Sequence, residues 1–276
     1  MGTAKEILQK RSITWYGWRP DLPDHRDFSY AAQRKTLQQL PKKVDLRNNC
    51  PPIYDQGQLG SCTGNAIAAA IEFELLKQNL SYDFRPSRLF IYYNERVIEG
   101  TVSIDNGAEI RNGIKVVSKQ GVCAEELWKY SDGKVLFKKK PTPKVYNEAM
   151  NHQVLTYSRV TRDLNQMKAC LAEGYPFVFG FTVYDEFEGD KVAKTGVLNL
   201  PGKGEKTQGG HAVKCVGYDE ASKRFIIRNS WNTDWGQKGY FTMPYEYLLN
   251  SNLSDDFWTI RMVEVNQIVA KAKKKK

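Results

Sequence analysis

Long apolar runs are the first feature that this sequence lacks. No stretch of the 276 residues approaches the roughly 18 consecutive apolar residues that a membrane-spanning helix needs. The first ten residues also contain no apolar core of the kind found in secretion signals. We therefore expect a protein that does not cross a membrane and is not addressed for secretion.

Cysteine and histidine are scarce as well. The five cysteines are odd in number and far apart, and no Cys-X-X-Cys pair is present. Such spacing argues against a disulfide framework, so we expect an intracellular, reducing compartment, with nuclear or virion association as further options. With three histidines and no cluster of ligand residues, the sequence predicts neither a metal site nor a cofactor.

The composition otherwise indicates a well-packed protein. Apolar residues make up 41% of the chain and aromatic residues 12%, enough for one large domain or two closely packed lobes. The net charge is +10, and five lysines in the last six residues supply half of it. We expect residues 267–276 to be a disordered, solvated tail, with contact to a polyanion as the alternative.

A glycine-rich loop, residues 54–66, precedes an apolar run rich in Ala and Leu, residues 67–76. The run is typical of a buried helix, and the loop would deliver Cys62 to its first turn. Unpaired backbone N–H groups at a helix N-terminus favour negative charge, so we expect the thiol of Cys62 to ionise more easily than usual.

A nucleophilic cysteine needs a base, and one histidine stands in a suitable context. His211 lies in a glycine-rich, strand-like stretch, residues 208–218, and a second strand-like stretch ends at Asn229, two residues before Trp231. His25 and His152 lie in polar surroundings, and we expect both on the surface. The order along the chain is therefore Cys, His, Asn.

These motifs resemble the papain-like cysteine peptidases, and most closely the branch found in bacteria, archaea and large viruses. Gln56 matches the oxyanion glutamine, Cys62 the nucleophile, His211 the general base, and Asn229-Ser230-Trp231 the orienting Asn with its shielding Trp. The gaps of about 150 and about 20 residues fit this family. The resemblance runs from residue 40 to residue 264.

The resemblance implies a cysteine endopeptidase acting on proteins or peptides. Cys62 and His211 would form a thiolate–imidazolium pair, Asn229 would orient the imidazole, and the oxyanion would bind Gln56 and the N–H of Cys62. Residues 105–108 resemble the family's substrate-pairing glycine segment, although a turn with a helix cap fits them equally. The residues expected to line the substrate cleft are Asn106, Gly107, Ala108, Gly210, Ala212 and Trp231. The small neighbours of the base suggest a wide pocket for bulky apolar side chains.

The fold class implied is α+β, with two lobes and the active-site cleft between them. We expect a helical lobe over roughly residues 50–140 and a lobe of antiparallel strands over roughly 141–264, together forming a catalytic domain at 40–266. Helices are predicted near 86–96, 108–119 and 163–173, and strands near 154–160, 177–184, 212–218, 225–229 and 239–243.

Residues 1–39 match no part of that catalytic domain. Three aromatic residues at 15, 16 and 18 stand beside prolines, and such a group tends to dock on a folded body. The segment is either a structural strap that covers apolar surface or a short pro-segment lying across the cleft.

Two other interpretations of the function of the chain remain. A papain-fold acyltransferase would use the same cysteine, histidine and asparagine but fits their spacing less well. A non-catalytic binding module would keep the scaffold alone, and the intact set of reacting residues argues against it.

Overall fold

The computed structural model describes residues 16–78 and 84–264. Trp15 and the predicted tail at 267–276 lie outside the described residues. The helices are α1 (Arg34–Gln38), α2 (Cys62–Lys77), α3 (Arg88–Glu99), α4 (Ile110–Lys119), α5 (Pro143–Ala149), α6 (Leu164–Ala172), α7 (Asp185–Glu188), α8 (Asp190–Thr195) and α9 (Tyr245–Leu249). The strands are β1 (Lys43–Asp45), β2 (Val154–Arg159), β3 (Phe177–Tyr184), β4 (Thr207–Asp219), β5 (Arg224–Arg228), β6 (Tyr240–Pro244) and β7 (Ser254–Val263).

The strands form one antiparallel sheet in the order β2-β7-β3-β4-β5-β6, and β1 pairs with β4. Helices α2, α3 and α4 pack together as a second layer beside this sheet. The result is the α+β, two-lobed arrangement that the sequence predicts. Within the described residues, no helix has the length and apolarity needed to span a bilayer.

Helix α2 is the central support of the helical layer. Thirteen of its sixteen residues are buried, because small alanines let neighbouring elements approach on every side. Gly64 allows the closest approach: a β-carbon there would lie 2.7 Å from the carbonyl oxygen of Arg88, at the start of α3. Any larger residue would push the two helices apart.

Strand β3 separates two apolar cores by the alternation of its side chains. Phe177, Phe179 and Phe181 point into a core of aromatic residues within the β-rich lobe, whereas Val178 packs on the opposite face with residues of α2 and α4. Gly180 therefore leaves space on the helix-facing side of the sheet. This space borders the cleft between the lobes.

One sequence prediction fails in the fold, and one strand is missing from the prediction. His152 is fully buried rather than on the surface, and its ring packs 4.0 Å from that of Phe84. Burial lowers its pKa to about 4. Strand β7 was not predicted, because its first half contains Asp255 and Asp256, and Asp256 interrupts the strand with a φ of +60°.

Residues 16–39, here called the N-terminal segment, run across the lobes. Trp18 forms a parallel bridge with Ala108 on the helical side, and Ser29 forms another with Arg159 in β2. Strand β2 is an edge of the sheet, so the segment also covers an edge that would otherwise be exposed.

Candidate active site

Cys62 begins helix α2 and is fully buried. Burial raises the pKa of its thiol to about 12, although backbone N–H groups of Ala212, Gly17 and Thr63 act in the opposite direction. The expectation of an easily ionised thiol therefore does not hold for this arrangement of the chain. Desolvation outweighs the helix N-terminus, and Gly17 of the N-terminal segment is one of the groups that contact the sulfur.

His211 lies in β4, opposite Phe181 of β3, and is also fully buried. Its Nε2 is 2.8 Å from Oδ1 of Asn229. That oxygen also accepts a 2.8 Å hydrogen bond from the backbone N–H of Ser230, which identifies it as the acceptor. Nε2 is therefore the protonated nitrogen, and the hydrogen bond fixes both the tautomer and the ring orientation.

Asn229 follows directly after β5, and its own backbone N–H donates to the carbonyl of Gly239. Since β5 pairs with β4, the end of one strand places the amide beside the imidazole of the other. The sequence positions differ by 18 residues, and sheet pairing brings them within hydrogen-bonding distance.

Aromatic rings enclose the imidazole of His211. The ring of Trp231 lies 5.1 Å away, that of Phe181 5.8 Å away, and that of Phe187 6.1 Å away. Trp231 has a relative exposure of only 1% and excludes water from the bond between His211 and Asn229. Sequence reasoning identified Trp231 but missed Phe181 and Phe187, whose contact with the histidine depends on tertiary packing.

Both polar atoms of the Gln56 side-chain amide form hydrogen bonds. Its Oε1 accepts a 2.6 Å hydrogen bond from the hydroxyl of Ser230, and its Nε2 donates to the carbonyl of Leu59 at 3.1 Å. The backbone N–H of Gln56 also donates to the carbonyl of Ser230. One N–H of Nε2 thus remains for another acceptor, and its direction is fixed before any ligand arrives.

The N-terminal segment occupies the cleft beside these residues. The N–H of Trp18 donates to the carbonyl of Gly210 at 2.8 Å, and the N–H of Ala108 donates to the carbonyl of Gly17 at 2.7 Å. The ring of Tyr16 lies 5.8 Å from that of His211 and 6.1 Å from that of Trp231. Most of the residues predicted to bind substrate therefore contact this segment.

The other residues predicted to bind substrate are Gly107, Ala212 and Asn106. Gly107 faces the segment, since a β-carbon on it would come 2.2 Å from the carbonyl oxygen of Gly17. Ala212 is buried against Cys62 rather than open to the cleft. Asn106 contributes a buried Oδ1 that has no hydrogen-bond partner among the described residues. Its contact with a substrate remains a prediction.

Buried charges anchor the segment beyond the cleft. Asp21 accepts from the backbone N–H of Arg111 and from Nε1 of Trp258, and its own N–H donates to Asp256. Burial and the charge of Asp256 raise the pKa of Asp21 to about 7. Arg159 donates to Asp256 at 2.8 Å and lies 3.5 Å from Asp21, so charges of both signs are enclosed together.

No group of three or more histidine, cysteine or carboxylate side chains suited to a metal ion occurs within residues 16–78 and 84–264. None of the five cysteines is in a disulfide. The side chains that the candidate site brings together are a thiol, an imidazole and two side-chain amides.

Known proteins share this sequence and fold. A model of the papain family cysteine proteases matches residues 40–256. An uncharacterized peptidase C1-like protein of Acanthamoeba polyphaga mimivirus is 42% identical over 272 residues, covering 90% of this chain and 87% of the viral protein. The crystal structure of xylellain, a cysteine protease from Xylella fastidiosa, is 48% identical with a TM-score of 0.85, covering 93% of this chain and 98% of that one.

Two further proteins are similar at lower identity, one in fold and one in sequence. Bromelain from Ananas comosus has a TM-score of 0.59 at 18% identity, covering 82% of this chain and all of that one. Cysteine proteinase 3 of Entamoeba histolytica is 27% identical over 249 residues, covering 87% of this chain and 72% of the amoebal protein. The predicted resemblance is confirmed. This chain belongs to the papain family of cysteine proteases and is a papain-like cysteine peptidase that acts on protein or peptide substrates.

Proposed function

We propose that Cys62, His211, Asn229 and Gln56 hydrolyse internal peptide bonds through a covalent acyl-enzyme. The observation that carries this proposal is the 2.8 Å contact between Nε2 of His211 and Oδ1 of Asn229. With Nε2 held by the amide, Nδ1 is the ring atom that exchanges a proton with Cys62. The transfer yields a thiolate and an imidazolium.

The thiolate attacks the carbonyl carbon of the scissile bond, and the carbonyl oxygen becomes an oxyanion. The free N–H of Gln56 and the backbone N–H of Cys62 stabilise this charge. The imidazolium of His211 then protonates the leaving nitrogen, the C–N bond breaks, and a thioester remains on Cys62. Water attacks the thioester while His211 accepts its proton, and the carboxylic acid product leaves as the thiol is restored.

The path of the N-terminal segment supports action on internal bonds. The chain passes from Tyr16, beside His211, past Gly17 at Cys62, and continues through Trp18 to Asp21. A polypeptide can therefore extend to both sides of the sulfur, as an endopeptidase requires. Digests of defined peptides should contain products cut internally, whereas release of C-terminal dipeptides alone would contradict this assignment.

A thiol-directed epoxide or vinyl sulfone tests the chemistry directly. We expect one adduct by intact mass, mapped to Cys62 and lost in Cys62→Ser. Cys50→Ser is the matched control, since Cys50 is half-buried and hydrogen-bonded to the carbonyl of Leu46, away from the histidine. A protein that forms this adduct but only transfers acyl groups to amines would be the acyltransferase. A protein that shows neither adduct nor turnover, even after the N-terminal segment is removed, would be the binding module.

We also propose that the N-terminal segment inhibits the enzyme by filling the cleft. Its backbone satisfies the carbonyl of Gly210 and the N–H of Ala108. Trp18 packs in the same apolar core as Cys62, and Tyr16 packs on His211 and Trp231. While it is docked, the sulfur has no access to solvent and its pKa stays near 12. Turnover therefore requires the segment to move or to be removed.

None of the five cysteines forms a disulfide, and this supports a function in a reducing compartment. Leu59 stands three residues before Cys62, and the loop between them is held by hydrogen bonds such as that from Gln56. We therefore propose an intracellular enzyme. Activity that is stable in millimolar glutathione and unchanged by omission of oxidants would agree, whereas a required disulfide would contradict it.

A further inference from the structure

The peptide group between Leu59 and Gly60 forms hydrogen bonds at both of its polar atoms. Its carbonyl oxygen accepts the 3.1 Å bond from Nε2 of Gln56. Its N–H donates to both carboxylate oxygens of Asp105, at 3.1 Å each. Because the C=O and N–H of a trans peptide lie in one plane and point in opposite directions, the carboxylate fixes the plane that holds the amide of Gln56.

The side chain of Tyr92 sets the position of this carboxylate. Asp105 lies between α3 and α4, and the hydroxyl of Tyr92 in α3 donates to its Oδ1 at 2.5 Å. The same hydroxyl accepts a 3.2 Å hydrogen bond from the N–H of Gly107. Tyr92 is fully buried, and burial raises the pKa of its hydroxyl, which therefore keeps the proton that it donates. The carboxylate is thus held by a helix rather than by the loop in which it lies.

Tyr92 packs directly against the helix that carries the nucleophile. Gly64 follows Cys62 by two residues, and a β-carbon on it would lie 3.2 Å from Cβ of Tyr92. The series of bonds from Tyr92 through Asp105 to Gln56 therefore starts beside α2. The same helix positions the sulfur of Cys62.

The loop that contains the peptide group does not fix it alone. Residues 57–61 form no helix or strand, and two of them, Gly57 and Gly60, are glycines. Glycine adds conformational freedom to the peptide groups beside it, so the peptide after Leu59 could rotate if its N–H lost its acceptor. Rotation would turn the carbonyl away from Nε2 of Gln56, and the free N–H of that amide would lose its fixed direction. A displacement of about 1 Å can cost about 10²-fold in rate.

A second carboxylate binds the same loop and provides a comparison. Oδ2 of Asp132 accepts a hydrogen bond from the N–H of Gln58 at 3.0 Å. The peptide group that holds Gln56 is the next but one along the chain. Asp105, rather than Asp132, therefore bonds to the peptide group that orients the side chain of Gln56.

We propose that Asp105 is a positioning residue for peptide hydrolysis, and that it directs the free N–H of Gln56 at the oxyanion through the peptide group between Leu59 and Gly60. The inference rests on the proposed peptidase function and adds a residue to it. Asp105 acts through Gln56 on the transition state, in which the oxyanion forms. Its loss should therefore lower kcat and leave KM nearly unchanged.

Two reactions of the same full-length protein test the proposal. Hydrolysis of an internally quenched peptide forms an oxyanion, whereas alkylation of Cys62 by iodoacetamide displaces iodide at a CH2 carbon and forms none. Peptide mapping identifies the alkylated cysteine, and thermal unfolding confirms that each variant is folded at the assay temperature. A docked N-terminal segment blocks both reactions alike. The ratio of kcat/KM to the alkylation rate constant of Cys62 therefore reports on the oxyanion site.

Asp105→Ala removes the acceptor of the Gly60 N–H and should lower this ratio by about 10-fold to 100-fold, less than the loss of about 10²–10³-fold in Gln56→Ala. Asp105→Asn keeps one oxygen in place of two and should restore part of the ratio. Asp132→Ala is the matched control, because the same truncation removes the acceptor of the Gln58 N–H. Its ratio should stay near that of the wild type.

A double substitution separates positioning from structural support. In the Gln56→Ala background, Asp105→Ala should lower the ratio no further, because the amide that Asp105 orients is absent. Full additivity of the two losses would show that Asp105 acts elsewhere and would overturn the proposal. An unchanged ratio in Asp105→Ala, or an equal loss in Asp132→Ala, would overturn it as well.

Those outcomes leave the peptidase function standing, since each is measured on an enzyme that turns over. Gly17→Ala opens the cleft of the full-length chain, because a β-carbon there would overlap the carbonyl oxygen of Gly60. Absence of both turnover and covalent labelling of Cys62, in the wild type and in Gly17→Ala, would instead overturn the peptidase proposal, and this one with it.

Discussion

Gly17 of the N-terminal segment lies against Gly60 of the loop before Cys62, and a β-carbon on Gly17 would come within 1.7 Å of the carbonyl oxygen of Gly60. Neither backbone can yield easily, because Gly17 also accepts a hydrogen bond from Ala108. The segment can dock in this position because residue 17 has no side chain.

Gly17→Ala should therefore displace the segment and raise peptidase activity by about tenfold or more, since an overlap of this kind costs upwards of ~1 kcal/mol. The initial rate with a fluorogenic peptide, normalised to protein, measures the effect. Unlike deletion of the first 39 residues, this substitution leaves the contacts of Asp27 and Tyr30 with the body of the protein available. Gly202→Ala, in an exposed loop with only Glu205 nearby, is the control. Unchanged activity in Gly17→Ala would indicate a structural strap.

The pH dependence of docking follows from Asp21. Its pKa is about 7 in the docked segment because of burial and the charge of Asp256, against an ordinary value of 3.8. A pKa raised on docking means that docking is strongest when the carboxyl is protonated. Docking should weaken as pH rises from about 4 to about 7, by up to about 1.4 kcal/mol per unit, and remain constant above that.

The ratio of the activity of wild type to that of Asp21→Asn isolates this effect, because the catalytic pH dependence is common to both. We expect the ratio to rise between pH 4 and pH 7. Arg159, Arg111 and the N–H of Trp258 also face Asp21 and favour its charged form. A ratio that falls over the same range would show that these donors dominate and that Asp21 binds ionised.

Gln56→Ala tests the oxyanion site. Loss of one preorganised donor should lower kcat by about 10²–10³-fold with little change in KM. Ser230→Ala is the matched comparison, since it removes only the hydroxyl that holds Oε1 of Gln56 and should cost far less. Equal losses in the two variants, with lowered thermal stability in both, would mean that Gln56 acts through loop structure rather than on the reaction.

The sequence can predict a candidate set of reacting residues because local motifs carry them. Gln56 lies in the loop that leads to Cys62, His211 lies in one strand-like stretch, and Asn229 follows the end of another. Phe181, Phe187 and Asp256 could not be found in this way. Their roles arise from the register between β3, β4 and β7, and no local pattern records that register.

The protonation state of Cys62 is a second property that the local sequence does not predict. A helix N-terminus lowers the pKa of a thiol by a modest local field, whereas full burial raises it by a larger amount. Burial here results from tertiary packing, and the sulfur also interacts with the backbone of Gly17, more than forty positions earlier in the chain. The direction of the pKa shift of Cys62 therefore depends on tertiary packing. The position of the aromatic residues 16 and 18 in the cleft depends on tertiary packing as well.

The buried carboxyl group of Glu95 lies behind the nucleophile. It is fully buried in α3 and accepts a 2.7 Å hydrogen bond from the hydroxyl of Thr63, the residue after Cys62. Burial raises the pKa of Glu95 to about 8 from an ordinary 4.5. The folded state therefore prefers the protonated acid, and this contribution to stability is present below pH 4.5 and is lost as pH rises toward 8.

Glu95→Gln replaces the acid by a neutral group of the same shape. The free energy of unfolding of the variant should match that of wild type near pH 4.5 and exceed it progressively toward pH 8, by about 1.4 kcal/mol per unit at most. Urea titrations at several pH values measure the difference. Glu95 also raises the pKa of Cys62 through its charge, so thiol alkylation in the variant should begin at lower pH. A variant less stable than wild type at pH 8 would mean that the ionised carboxylate is held by Thr63 and its neighbours after all.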